Sequence, residues 1–171
     1  MAIIKKLRNE KGLSIVEILI ITAIIGIALT SLLGIATFSL KIATLEREVT
    51  QANILAQETM EAVRNFRDET DWNNDDSQNQ YDGLGVIATG VAYHSEKSSD
   101  TPPKWMLIQG EETIDGFTRK VVFEDVSRDG NDDIEQVYNP NNDDPDSKKT
   151  TVTVSWKDKK VEVITYFTNW K

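Results

Sequence analysis

The chain of 171 residues contains no cysteine, one histidine and four prolines. Without cysteine it can form neither a disulfide nor a thiolate zinc site, and thiol catalysis is excluded. A histidine-based triad would have to use His94, which no surrounding motif supports, and no phosphate-binding glycine loop is present. Because no set of nucleophile, base and acid is visible, the sequence predicts a protein that is not an enzyme and has no catalytic residue.

Basic residues are also scarce. Lys and Arg number 19 against 28 Asp and Glu, which gives a formal net charge of −9. Residues 1–12 hold four cations and one anion, so the chain from Leu13 onward carries −12. Nucleic-acid binding needs clustered Lys and Arg to neutralise phosphates. No nucleic acid is therefore expected among the partners.

The longest uncharged stretch lies between Glu17 and Lys41 and contains 23 residues. A helix of that length covers roughly 35 Å at 1.5 Å per residue, enough to cross a bilayer core of about 30 Å. A secretory signal peptide has a shorter apolar core, of roughly 7–15 residues, before a small-residue cleavage site. The stretch therefore predicts one transmembrane helix.

A single carboxylate, Glu17, stands at the start of this stretch. On insertion scales an acid in an apolar helix is unfavourable by about 2.5–3.5 kcal/mol at the helix centre, and by less near the interface. It is tolerated when a cation pairs with it. The position of Glu17 therefore indicates a function that needs a partner charge.

The residues before Glu17 form a short basic segment that ends in a glycine. Residues 1–12 are hydrophilic, and their cations are Lys5, Lys6, Arg8 and Lys11. The apolar run follows Gly12 directly, as Leu13-Ser14-Ile15-Val16-Glu17. This arrangement resembles the leader of a type IV prepilin.

The resemblance implies how the chain is processed. A membrane-embedded prepilin peptidase would cut between Gly12 and Leu13 on the cytoplasmic side, and the new amine of Leu13 would be methylated. Glu17 then matches the acid that characterises the fifth mature position of the family. After cleavage, the nearest candidate cation for Glu17 is the α-amine of Leu13 in a neighbouring subunit, and that pair would set the axial register of a filament.

The chain departs from the pattern of major pilins at three points. Leu13 stands where the family most often has Phe, and Gly34 stands where many major pilins have a helix-breaking proline. The C-terminal disulfide loop of many major pilins is missing, because there is no cysteine. The missing disulfide loop favours a minor pilin or a type II secretion pseudopilin, and Gly34 also argues against a major pilin.

Helical spacing continues after the apolar run. From residue 41 to about residue 67, apolar or small residues recur at steps of three and four and predict an amphipathic continuation of the same helix. This stripe is predicted to pack on the following sheet, with coiled-coil pairing as the alternative. Its members are Leu45, Val49, Ala52, Ala56, Thr59, Val63 and Phe66.

Residues 68–85 are rich in Asp, Asn and Gly, have no apolar period and predict a connecting loop. Short strands are predicted at residues 86–93, 105–108 and 117–126. A final hairpin is predicted from residues 151–156 and 161–170 around a turn at 157–160, with Trp156 packing on Tyr166 and Phe167.

The predicted fold class is α+β, a long N-terminal helix packed on a C-terminal antiparallel sheet, and the resemblance makes it pilin-like. Its parts are a leader at residues 1–12, a transmembrane and assembly helix at 13–40, an amphipathic continuation at 41–67, and a loop and sheet domain at 68–171.

One acidic run is a candidate metal site. Hard oxygen ligands suit Ca²⁺, but the run lacks the Gly and Glu that an EF-hand loop requires at its sixth and twelfth positions. A solvated acidic loop without metal is therefore the alternative, and Ca²⁺ is the only candidate cofactor. The four candidate ligands are Asp129, Asn131, Asp133 and Glu135.

Together these features predict a structural subunit of a type IV pilus or a type II secretion pseudopilus. The resemblance implies three kinds of partner, namely the prepilin peptidase and methylase, other pilin or pseudopilin subunits, and an inner-membrane assembly platform. The expected location is the cytoplasmic membrane, with an extracytoplasmic C-terminal domain, and then the filament. The alternative is a monomeric, membrane-anchored extracytoplasmic binding domain that binds calcium.

A calcium site can be tested by melting the domain from Lys41 onward. If the acidic run binds the ion, the melting temperature is expected to rise in millimolar Ca²⁺ and to fall when a chelator is added, because a ligand that binds only the folded state stabilises it. Identical melting in the two buffers would discard the site.

Overall fold

The computed structural model of the chain describes residues 12, 14–78 and 80–170. The chain divides into two compact units, and the division falls between Glu46 and Arg47. One long N-terminal helix and an antiparallel sheet confirm the α+β class. The elements are α1 (Ile15–Glu69), β1 (Ala92–Lys97), β2 (Trp105–Gln109), β3 (Glu112–Ile114), β4 (Phe117–Ser127), the 3₁₀ turn η1 (Pro140–Asn142), β5 (Asp143–Trp156) and β6 (Lys159–Thr168).

Helix α1 is continuous over 55 residues. It starts with an acid, Glu17, in its first turn and has a base, Arg67, in its last turn, and both charges are favourable for the helix dipole. It ends where the Asp- and Asn-rich segment begins, because these side chains compete with the helix for backbone hydrogen bonds. The predicted single long helix is thus confirmed.

All strand pairs of the sheet are antiparallel. The strands lie in the order β2-β1-β4-β5-β6, and the short β3 pairs with β4. The long β5 pairs along its length with β4 and β6, so these three strands form the central platform. At one end of β4 a bulge between Asp125 and Val126 shifts the register.

The core of the second unit lies between α1 and the inner face of the sheet. Alternate residues of the central strands point inward, as expected from the two-residue period. Most of the predicted helix stripe is buried here, whereas Leu45 is exposed. The main helix residues of the core are Ala52, Leu55, Ala56, Met60, Val63 and Phe66, and they face Phe117, Val121, Phe123, Val152, Val154 and Trp156.

A buried arginine also lies on the inner face. Arg119 is 5% exposed and its guanidinium contacts the carboxylate of Glu112 at 2.6 Å. A second carboxylate, from Glu58 on α1, lies 3.5 Å away. A buried cation is tolerated only when it is paired and hydrogen-bonded. Arg119 therefore ties the helix to the sheet by charge as well as by packing.

A second polar contact joins α1 to the β5–β6 hairpin. The carboxylate of Glu48 accepts hydrogen bonds from the Trp156 indole nitrogen at 3.1 Å and from Lys157 Nζ at 2.6 Å. Both bonds favour the ionised acid and lower the pKa of Glu48. Lys157 adopts a φ of 51°, a left-handed value unusual for lysine, at the first position of the hairpin turn.

The loop after α1 contributes to the core, although its polar composition did not predict this. Trp72 is buried, and its indole nitrogen donates to the carbonyl of Pro145 at 3.0 Å. The returning chain passes so close that a Cβ at Gly83 would lie 2.1 Å from the Asp71 carbonyl oxygen. Leu84 then also enters the core.

Several strand boundaries differ from the predictions. The first strand is predicted at residues 86–93, but residues 86–91 belong to the loop, and β1 begins at Ala92. From this loop Ile87 packs into the core. Strand β5 begins at Asp143, well before the predicted start at residue 151. The prediction missed its first residues because they are polar and show no alternation. The hairpin turn has two residues rather than four.

The short turn also changes the predicted aromatic contacts. It pairs Trp156 with Lys159, which places Tyr166 opposite Lys149 near the other end of the hairpin. Trp156 instead packs on Phe117, with ring centroids 5.5 Å apart. The predicted packing of Trp156 on Tyr166 and Phe167 is therefore wrong.

The helix–sheet packing can be tested with a pair of variants on α1. Phe66→Ala removes a side chain that is 0% exposed and is expected to lower the free energy of unfolding by about 3–5 kcal/mol, because it leaves a cavity. Ile54→Ala, at a side chain 59% exposed on the same helix, is the control and is expected to change it by less than about 0.5 kcal/mol. Denaturant titration followed by tryptophan fluorescence measures both. Equal losses would contradict the described packing.

Candidate functional site

The N-terminal part of α1 is an exposed apolar surface. Every described residue from Ser14 to Arg47 is exposed. One 18-residue window of the helix has a mean hydropathy of 2.6, and none of that window is buried inside the structure. By length and composition α1 can cross a membrane. Apolar side chains left without protein contacts are suited to contact with lipid or with another helix.

Five side-chain hydroxyls of this segment are satisfied within the helix. Each of the five bonds to a backbone carbonyl three or four residues earlier, at distances between 2.8 and 3.1 Å. Such groups therefore need no water, which makes the segment compatible with a bilayer interior. The residues are Thr22, Thr30, Ser31, Thr37 and Thr44.

Glu17 is an exposed carboxylate in the first turn of α1. No hydrogen bond or ion pair joins it to another described residue. The helix dipole favours a negative charge at this end, but a carboxylate within lipid also needs a cation close to it. Its position is therefore suited to a charge partner from outside the described part of the chain.

The predicted processing junction falls at the edge of the described residues. Gly12 is exposed, and a Cβ added to it would have no heavy atom within 4 Å, whereas Leu13 and the remainder of the leader lie outside the described residues. Cleavage between Gly12 and Leu13, and methylation of Leu13, therefore stay predictions. The glycines within the span, Gly26 and Gly34, both lie inside the continuous helix.

Two of the candidate calcium ligands are engaged in hydrogen bonds within the chain. Asp129 Oδ1 accepts the backbone N–H groups of Asn131 at 2.9 Å and Asp133 at 3.0 Å, which lowers the pKa of Asp129. The Glu135 carboxylate instead accepts from the Asn142 amide at 3.2 Å. Within the described ranges, no group of three or more His, Asp or Glu side chains is placed to hold a metal ion. Calcium binding stays an expectation for the melting experiment.

Arg128 organises this acidic loop, a role that the sequence pattern did not predict. Its Nε lies 2.6 Å from Asp144 Oδ2, and its NH1 group donates to the carbonyl of Asp132 at 2.9 Å. Burial alone would raise the pKa of Asp144, but the hydrogen bonds from Arg128 and Ser147 together outweigh that effect. The pKa of Asp144 is therefore lower than its usual value. The signal in the sequence was a single cation inside an acidic run.

A cavity of about 380 Å³ lies between this loop and the outer face of the sheet. It opens on the face opposite to α1, because its strand residues alternate with those of the core. The lining includes Glu124, Ile134, Glu135, Tyr138, Lys149 and Tyr166. We call this feature the outer-face cavity.

His94 lies on β1 and takes part in none of these features. Its Nδ1 is 3.4 Å from the carbonyl oxygen of Gly110, and neither residue lines the outer-face cavity.

Comparison with known proteins found no matching family model, no matching curated sequence and no matching solved structure.

The bonding of Asp129 predicts a pH-dependent contribution to stability. Since its pKa is lower in the folded chain than the ordinary value of about 3.9, the ionised carboxylate stabilises the fold above that value. The contribution is lost as the pH falls through the lowered pKa. Asp129→Asn is therefore expected to lower the melting temperature at neutral pH, and the difference from the wild type is expected to shrink in acid.

The control is Asp132→Asn, which removes one negative charge from the same loop at a side chain 88% exposed. Melting curves of the three proteins between neutral pH and roughly pH 2 give the comparison. A difference between Asp129→Asn and the wild type that stays constant with pH would contradict the assignment.

Proposed function

We propose that the chain is a type IV pilin-like subunit, a membrane-inserted prepilin that is cleaved after Gly12 and then assembled into a filament. One observation carries the proposal. A fully exposed apolar stretch of membrane length begins directly after the Gly12 junction, holds one carboxylate in its first turn, and continues as the helix that packs on the sheet. A membrane anchor alone does not require that carboxylate.

The carboxylate gives the proposed assembly its register. Before assembly, Glu17 lies near the membrane surface, where its energetic penalty is smaller than at the bilayer centre. In the filament, the α-amine of Leu13 from a neighbouring subunit pairs with Glu17. Apolar helices slide past one another at little cost in energy, whereas a buried ion pair is strongly distance-dependent in a low dielectric. The pair therefore selects one axial offset between neighbours.

The exposed part of α1 supports the packing that a filament needs. Five of its hydroxyls are bonded within the helix, so these groups can move from lipid to a bundle of helices without losing hydrogen bonds. Small residues such as Gly26 and Gly34 permit close approach of helices. The helix is extracted from the membrane by the assembly platform and packs in the filament, while the acidic sheet domain faces outward.

Within this class we propose a minor or initiating pilin first and a type II secretion pseudopilin second. The absence of cysteine, and with it of a disulfide loop, supports both choices over a major pilin. The subunit works by assembly, and the proposal assigns it no reaction. Its location is the cytoplasmic membrane, with the sheet domain outside the cytoplasm, and afterwards the filament.

A second candidate function is a monomeric binding domain held at the membrane by α1. The outer-face cavity favours it, since about 380 Å³ is within the range of small-ligand sites. In that case α1 is only an anchor, and the chain keeps its first residues.

Mass spectrometry and incorporation into filaments test the proposal together. The mature chain is expected to begin with N-methyl-Leu13, and Glu17→Ala is expected to leave this terminus unchanged while filament incorporation falls by about tenfold or more, because the register pair is lost. Thr22→Ala, in the next turns of the same exposed segment, is the control and is expected to assemble normally. An intact Met1 would favour the anchored binding domain, and unchanged incorporation of Glu17→Ala would refute the register mechanism.

A further inference from the structure

The lining of the outer-face cavity combines aromatic, apolar and charged residues. It has no role in the proposed membrane insertion or in the proposed cleavage of the chain. A row across three strands forms its floor, with Lys149 of β5 paired to Glu124 of β4 on one side and to Tyr166 of β6 on the other. The loop between β4 and β5 covers it with Ile134 and with Tyr138. The floor and the cover thus combine aromatic surface with charge.

One carboxylate in the lining has unused capacity. Lys149 Nζ lies 2.8 Å from Glu124, so that acid is neutralised within the chain. Glu135 Oε1 accepts one hydrogen bond, from the Asn142 amide at 3.2 Å, and can accept another, whereas its Oε2 is buried and has no hydrogen-bond partner among the described residues. A carboxylate accepts several hydrogen bonds, and leaving a sheltered oxygen without one is unfavourable.

The tyrosines indicate the kind of group that would complete the cavity. Tyr138 and Tyr166 are 44% and 45% exposed although both line it. A lysine side chain matches this surface, because its apolar stem covers aromatic rings while its ammonium group bonds to a carboxylate. The cavity therefore fits an inserted lysine better than it fits an anion or a neutral apolar ligand.

The same chain presents lysines at the other end of the hairpin. From Arg47 onward the sequence holds 14 Lys and Arg against 25 Asp and Glu, and three of those 14 cations fall within residues 157–160. We call residues 157–160 the basic turn. Because the domain as a whole is acidic, the basic turn is a surface that is attracted electrostatically to other copies of the domain.

Within the basic turn, Lys160 is the cation that is available. Lys157 is bonded to Glu48 at 2.6 Å, and Lys159 lies 4.0 Å from the same carboxylate. Lys160 is 64% exposed, and its partner Glu162 is also exposed, so their ion pair contributes little and is easily exchanged.

We propose that Lys160 of one copy inserts into the outer-face cavity of a second copy and binds Glu135 between Tyr138 and Tyr166. Lys160 and Tyr166 lie on the same face of β6 but six residues apart, about 20 Å along the strand. That separation exceeds the reach of a lysine side chain, so a chain cannot fill its own cavity. Ile164, exposed between them on that face, adds apolar contact.

This contact deepens the proposed function, on which it rests, by naming the surfaces through which the sheet domains of neighbouring subunits touch. The basic turn and the cavity are different surfaces, so each copy can donate a lysine to one neighbour and accept one from another. Such a heterologous contact propagates along an assembly, as a filament requires.

Cysteine cross-linking tests the contact directly, because the chain has no cysteine of its own. Full-length Glu162→Cys and Gln136→Cys chains with different tags are co-expressed in bacterial membranes and oxidised; both chains keep Lys160 and Glu135, and the two cysteines stand beside the proposed contact, on β6 and in the cavity lining. A disulfide-linked dimer carrying both tags is expected, at about tenfold the yield of a control pair, Thr113→Cys with Gln136→Cys. Yields equal to the control, or a Gln136→Cys homodimer instead, would overturn the proposal.

Charge reversal provides a second readout that does not depend on cysteine geometry. Lys160→Glu in both tagged chains is expected to reduce their co-purification by about tenfold. Mixing a Lys160→Glu chain with a Glu135→Lys chain is expected to restore it, because the ion pair re-forms with reversed charges. Failure of the mixed pair to recover, with both chains folded by tryptophan fluorescence, would also overturn the proposal.

A cysteine within the exposed part of α1 separates this inference from the proposed function. Ala28→Cys reports helix packing between copies. Cross-linking through Ala28→Cys without cross-linking between Glu162→Cys and Gln136→Cys overturns the cavity contact and leaves the filament proposal standing. The opposite result supports the contact and overturns packing through the helix.

Discussion

The packing of α1 against the inner face of the sheet is the contact on which the second unit depends. The helix supplies one wall of the core, and β4 and β5 supply the other. The fully buried Phe66 and Phe123 belong to opposite walls of this core. A single helix provides both this wall and the exposed apolar segment. Its first part could cross a membrane by length and composition, and its last part is removed from water by the sheet.

Much of this architecture could be predicted from periodicity. Apolar spacing predicted the long helix and its buried stripe, and alternation predicted β4 correctly because its inward residues from Phe117 to Phe123 are apolar apart from Arg119. The predicted length of β5 is too short because the first residues of the strand are polar. Among them, Lys148 is buried against Asp125 rather than exposed. A pattern of residue types cannot reveal a buried lysine whose partner comes from another strand. The same holds for Arg119, whose partners lie on α1 and β3.

The candidate sites also differ in how far the sequence alone could predict them. Glu17 stands out in the sequence because a charge within an apolar run is improbable without a reason, and its exposed position in the first turn agrees with a partner from another chain. The acidic loop suggested metal ligands by composition alone. In the structure Asp129 bonds the loop's own backbone and Asp144 bonds Arg128, since Asp side chains cap neighbouring N–H groups readily, and calcium binding stays a prediction. The outer-face cavity has no signature in the sequence, because its lining comes from three strands and a loop that only the fold brings together.

The hydrogen bonds of Glu48 have a mechanical consequence. Glu48 is the second residue of α1 after the division between the two units, so a pull on the N-terminal part of the helix is transmitted to the domain first at this carboxylate. Trp156 and Lys157 hold it from the hairpin, and Lys157 does so in a strained backbone conformation that places its ammonium group on the acid. Through these bonds, a force applied along the helix acts on β5 and β6 before it acts on the apolar core.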